Sequence, residues 1–226
     1  MPTTKPKINE AHRDVAVVTR DATLDGRLQV PAEAVGLVLF AHGSGSSRHS
    51  PRNRYVAQVL NDAKIATLLF DLLTSEEGEH DAFDRSLRFD IELLAGRVIE
   101  AIDWVSEQAE IGALPIGLFG ASTGAAAALV AAAARPRRVE AVVSRGGRPD
   151  LAAEALSLVC APTLLIVGGD DTEVLALNHT ARQHMKGSVT ISIVDGATHL
   201  FEQPGALEQV ASLAATFFRT RFEALA

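Results

Sequence analysis

The chain has 226 residues, 47% of them hydrophobic, and a formal net charge of -7. That length suits one α/β domain, residues 1–226, with a single sizeable core. The negative balance argues against nucleic acid as a partner, since phosphate binders need a surplus of Lys and Arg, and no apolar run is long enough to span a bilayer.

Residues 1–12 carry two lysines but no apolar segment or small-residue cleavage site behind them. They read as a flexible N-terminal segment rather than a secretory signal, so a cytoplasmic location is expected. Val15 to Val18 and Leu28 to Val30, joined by a turn at Asp25-Gly26, predict an antiparallel hairpin at the edge of the sheet. VGLVLFAHG, Val35 to Gly43, is a continuous apolar run, as expected of a strand buried on both faces. A helix is expected after Pro51, and Ile65 to Leu73 repeats the buried-strand pattern.

TSEEGEHDAFD has no clear period and reads as an acidic surface loop that could serve as a partial lid. Arg88 to Gln108 places apolar residues at three- and four-residue spacings, which predicts a helix with one face on the sheet. PIGLFG is then a central strand, and the alanine run after it a helix lying close on the sheet. Strands at Ala141 to Ser144, Thr163 to Gly168 and Val189 to Val194 follow, with helices near Val174 to Met185 and Ala206 to Phe222. Cys160 precedes a strand-like run and reads as a small buried hydrophobe. Phe217 and Phe218 read as exposed and suggest either a homodimer face or a terminal helix packed on the sheet.

Alternation of strands and helices predicts a mostly parallel sheet with helices on both faces. In such sheets the chemistry gathers at the carboxyl ends of the strands. Gly120-Ala121-Ser122-Thr123-Gly124 fits G-x-S-x-G between a strand and a helix, where the serine either caps the helix or acts as a nucleophile. A nucleophilic serine needs a base to take its proton and a carboxylate to hold that base. His199 lies between the last strand and last helix, and GGDDTEV offers Asp170 and Asp171 after the preceding strand. The backbone N–H of Thr123, the residue after the serine, is the expected first oxyanion donor, with a second from the loop HGSGSSR. His42 in that loop more simply orders it than carries protons. His179 and His184 are expected to face solvent.

Through AHGSGSSRHSPRN, GLFGASTGAAAAL, VVSRGGRPDL, PTLLIVGGDD and GATHLF, the chain from Val35 onward resembles the α/β-hydrolase superfamily. It is most similar to the small dienelactone-hydrolase-like group without a cap domain. The resemblance implies Ser122 as nucleophile, His199 as base, Asp171 rather than Asp170 as the orienting acid, and the Ser44 N–H as the second oxyanion donor. It implies a hydrolase of small soluble esters or lactones, with thioester hydrolysis, acyl transfer or a non-catalytic binding role as alternatives. Dienelactone hydrolase carries a cysteine at the elbow where this chain has Ser122, so its lactone is not carried over.

Arg48, Arg145 and Arg148 follow strands at the same end of the sheet and are candidates for binding a carboxylate on the substrate. The competing expectation is that they pair with the acidic segment Glu76 to Asp84. No grouping has metal-ligand spacing and no nucleotide-binding glycine pattern occurs in context, so no metal or cofactor is expected.

Overall fold

A computed structural model describes residues 12–225. The expected flexible segment lies almost wholly outside the described residues. Strands β1 (Arg13–Val18) and β2 (Thr23–Gln29) form the antiparallel hairpin. The turn lies at residues 19–22 rather than at Asp25-Gly26, because Gly26 is a register position inside β2, opposite both Val15 and Phe70. A glycine beside an aspartate imitates a turn in sequence even where cross-strand pairing holds it extended.

The strands then run β3 (Leu37–Ala41), β4 (Ala66–Phe70), β5 (Ile116–Ala121), β6 (Val139–Arg145), β7 (Thr163–Gly168) and β8 (Val189–Val194). All eight form one sheet in the order β1-β2-β4-β3-β5-β6-β7-β8, parallel from β4 to β8. The hairpin joins it antiparallel through β2 and β4, with β1 at the edge as expected.

Strict alternation along the central strands divides the core in two. Leu37, Leu39, Ile116, Leu118 and Val142 face helices α3 (Ile91–Glu107) and α4 (Thr123–Ala134). Val38, Phe40, Phe119 and Val143 face α1 (Pro51–Asp62) and α6 (Ala206–Glu223). Helix α5 (Thr172–His184) reaches the α4 face through Ala181. Residues at both levels are fully buried, as a parallel sheet covered on both sides requires.

Three expectations about individual segments are corrected here. The acidic stretch is not a loop: Ser75–Asp84 forms helix α2, started by a capping box in which Thr74 Oγ1 accepts from Glu77 N–H at 3.1 Å and Glu77 Oε2 from Thr74 N–H at 2.8 Å. Cys160 is exposed, because its side chain falls outside the apolar run that begins at Thr163. Phe218 is fully buried over Gly117, where a Cβ would lie 2.5 Å from its ring. Only Phe217 is part-exposed, so the reading of the pair as exposed is replaced by the other expectation, a terminal helix packed on the sheet.

Candidate active site

The site is assembled by the turn between β5 and α4. Gly120 and Gly124 flank it because backbone passes where their side chains would be. A Cβ on Gly124 would lie 2.2 Å from the carbonyl oxygen of Ala41, and one on Gly120 2.4 Å from Ala125 Cα. Ser122 between them holds φ 51° and ψ -121°, a backbone conformation costly for a residue with a side chain. Arg145 at the end of β6 and Arg148 in the loop after it fix that turn: Ser122 N–H donates to Arg145 O at 3.2 Å, and Arg148 N–H to Ser122 O at 3.1 Å.

Ser122 occupies the N-cap position of α4 yet makes no capping hydrogen bond. Its Oγ instead lies 3.3 Å from His199 Nε2, while His199 Nδ1 lies 2.7 Å from Asp171 Oδ2. The strained serine therefore meets an imidazole whose other nitrogen is held by a carboxylate. Asp171 is the carboxylate in contact with His199; its N–H turns back to Gly168 O at 3.1 Å and it starts α5. Asp170 N–H donates to Ala197 O at 3.0 Å, which ties the β7 loop to the segment carrying His199.

The other oxyanion candidate is present in a specific state. Ser44 N–H donates to Thr123 Oγ1 at 2.9 Å, so the side chain of one candidate donor occupies the amide of the other. Thr123 opens α4, and its own N–H belongs to the first turn, which lacks helical partners. His42 is structural, as expected. Its Nδ1 sits 3.0 Å from Gly43 O and its Nε2 accepts from Leu72 N–H at 3.0 Å, a pairing that defines a neutral ring protonated at Nδ1. Burial lowers its pKa, against smaller opposing effects of the Gly43 carbonyl and Asp71.

A cavity of about 350 Å³ opens beside the loop from Gly43 to Ser47 and is closed by Leu72 to Ser75, Gly78 and Ala82. Arg88 also lines it, held by Asp81 through Nε at 2.6 Å. Arg88 did not stand out in the sequence; Asp81 belonged to the acidic segment expected to pair with arginines, and being buried it needs a cation. Helix α2 is tied down further by Arg97, whose Nη2 donates to Glu77 Oε1 at 2.9 Å.

The three candidate substrate arginines separate. Arg48 pairs with Asp71 and, at 3.3 Å, with Asp25. Arg148 forms a two-pronged pair with Asp150 at 2.9 and 2.7 Å. Neither pairs with the acidic helix, and each already has a carboxylate, so neither is a free receptor for one. Arg145 is buried and pairs with no carboxylate among the described residues.

Comparison with known proteins agrees with this architecture. The profile of the α/β-hydrolase domain family matches residues 34–215. A crystal structure of dienelactone hydrolase from Anabaena variabilis is 56% identical, with a TM-score of 0.92 over 93% of this chain and 98% of that one. Est1E from Butyrivibrio proteoclasticus shares the fold at 15% identity, with a TM-score of 0.78 over 93% of this chain and 99% of that one. A Mycobacterium tuberculosis protein named "Putative phosphoribosyl transferase" is 58% identical over 205 residues, which are 91% of this chain but 45% of that protein. This chain thus spans less than half the length of that relative. The chain belongs to the α/β-hydrolase domain family, within its dienelactone-hydrolase-like group.

Proposed function

We propose that the protein is a serine hydrolase that cleaves small carboxylic esters or lactones through an acyl-enzyme. The observation that carries this reading is the placement of His199 between Asp171 at 2.7 Å and Ser122 at 3.3 Å. An imidazole so placed can take the serine proton on Nε2 while the carboxylate stabilises the imidazolium at Nδ1. A contact of 3.3 Å is ordinary for a site without substrate, where such bonds tighten on binding.

In the proposed reaction Ser122 Oγ attacks the ester carbonyl and His199 accepts its proton. The carbonyl oxygen becomes an oxyanion beside the Thr123 N–H and the positive end of α4. Ser44 N–H exchanges its bond to the Thr123 hydroxyl for one to the oxyanion. His199 then protonates the departing alkoxide and, in the second half, removes a proton from water that releases the acid.

Phosphoribosyl transfer, in the name of the mycobacterial relative, is a displacement at a sugar carbon. An imidazole between a hydroxyl and a carboxylate is suited instead to acyl transfer. That relative's greater length leaves room for its name to describe residues with no counterpart here.

Treatment with a fluorophosphonate followed by intact and peptide mass analysis tests the proposal. One adduct on Ser122 is expected, absent in Ser122→Ala and strongly slowed in His199→Ala. A folded protein that stays unlabelled, or is labelled elsewhere, contradicts it.

A further inference from the structure

The backbone of Ser122, at φ 51° and ψ -121°, is of a kind that persists only where its surroundings hold it. One of those holds is the peptide group that joins Gly147 to Arg148. Its N–H donates to Ser122 O at 3.1 Å, and its oxygen, Gly147 O, accepts from Asn178 Nδ2 at 3.0 Å. A peptide group is planar, so fixing the direction of its carbonyl fixes that of its N–H. The side chain of Asn178 therefore sets the direction from which the serine turn is held.

Asn178 itself is locked in place. It is fully buried, and the second proton on Nδ2 goes to Val174 O at 2.8 Å, which fixes the rotation of the amide. Its Oδ1 is buried with no partner among the described residues. The side chain thus satisfies Gly147 O while leaving its own oxygen unpaired, and what it adds is an orientation rather than a fully paired core. The loop it grips has no slack: a Cβ on Gly147 would lie 2.0 Å from Ser144 Oγ and 2.6 Å from Ala125 Cβ, so the loop is pressed against β6 and α4. Asn178 also lies on α5, seven residues after Asp171 and so two turns along the same side of the helix. Asp171 is the carboxylate 2.7 Å from His199 Nδ1.

We infer that Asn178 is a positioning residue that orients the Gly147–Arg148 peptide against Ser122 and couples the serine turn to the helix that carries Asp171. Its catalytic consequence rests on the serine-hydrolase reading, but the tie itself can be measured apart from turnover.

The experiment compares wild type with Asn178→Leu and Asn178→Asp, each shown to be folded by circular dichroism and assayed well below its thermal midpoint. In Asn178→Leu, fluorophosphonate labelling of Ser122 and kcat for p-nitrophenyl acetate should both slow by about tenfold to a hundredfold, as displacement of a reacting group does, with KM within about threefold of wild type. Asn178→Asp supplies a readout that a mere loss of packing would not move. Burial raises the pKa of a carboxyl group, whose protonated form can donate to Gly147 O and whose ionised form cannot. The kcat of Asn178→Asp relative to wild type should therefore rise as the pH is lowered from about 9 to about 6, while that of Asn178→Leu stays level. Labelling and kcat within about threefold of wild type in folded Asn178→Leu, or a relative kcat of Asn178→Asp that does not change with pH, overturns the inference. Should Asn178→Leu not fold, the pH dependence of Asn178→Asp decides alone. Amide exchange followed by NMR gives the arm that needs no turnover: the Arg148 N–H should exchange at least about tenfold faster in either folded variant at a pH where the tie is lost, while the Val143 N–H in β6 keeps its rate. Unchanged exchange at Arg148 overturns the tie. A wild type that is neither labelled nor active fails the hydrolase reading alone, and an active wild type matched by Asn178→Leu fails this inference alone.

Discussion

At the residue scale, two adjacent aspartates have been separated by geometry. Asp171 touches His199 and Asp170 does not, so their substitution should differ sharply. Asp171→Asn is expected to lower kcat by about 10⁴-fold, as removal of an orienting carboxylate does, while Asp170→Asn stays within roughly tenfold of wild type. Steady-state kinetics on a short p-nitrophenyl ester checks both, and the reverse ranking would move the orienting role to Asp170. His42 gives a second prediction. Burial holds its pKa below the ordinary 6.5, so as the pH falls the unfolded chain binds a proton before the folded one. Its contribution to stability is present above about pH 6.5 and is lost as the pH falls through the window between that value and the folded-state pKa. Thermal midpoints between pH 7.5 and 5 should therefore drop more steeply in wild type than in His42→Gln, and equal slopes would contradict the assignment. The candidate serine and histidine could be picked out because each follows a recognisable strand, whereas the strand before the aspartates left Asp170 and Asp171 both open and only the family resemblance favoured Asp171. The Ser44 to Thr123 bond and the pairing of Arg48 and Arg148 were not legible, since they depend on which way loop side chains turn.

At the element scale, the two glycine classes make a paired test. Gly124→Ala places a methyl 2.2 Å from the backbone oxygen of Ala41, so β3 or the elbow must shift. A loss of roughly 1–3 kcal/mol in denaturant unfolding is expected, together with a fall in activity. Gly96 lies within α3 and a Cβ there meets nothing within 4 Å. Gly96→Ala should instead stabilise by about 0.5–1 kcal/mol, because glycine in a helix loses more chain entropy. Elements with strong apolar patterns were read closely from sequence: Thr163–Gly168 and Val189–Val194 are strands to the residue. Helix α2 was missed because it is polar, and its packing rests on ion pairs to Asp81 and Glu77 rather than on an apolar stripe. The Thr74-to-Glu77 capping box was its readable sign. The N-terminal turn was misplaced because Gly26 has turn chemistry but sits between two strands.

At the scale of the whole molecule, the sheet is clamped between two apolar layers, and the site stands where they meet at the strand ends. Phe218 belongs to the α6 layer and fills the space above Gly117 on β5, three residues before the start of the elbow at Gly120. Phe218→Ala should cost about 3–5 kcal/mol, read as a lower unfolding midpoint. Doubly covered parallel strands with polar loops at their carboxyl ends made the overall architecture legible in the sequence. Which arginines stay unpaired was not legible, because it depends on the crossing of α1, β6 and the His199 turn, segments far apart in the chain. The most direct test of the central claim is hydrolysis of p-nitrophenyl acetate by the wild type and by Ser122→Ala. Turnover by the wild type, with a loss of about 10⁴-fold or more in a variant that remains folded, is the predicted result. Equal rates in the two proteins, or no turnover by folded wild type, would contradict Ser122 as the nucleophile of an ester hydrolase.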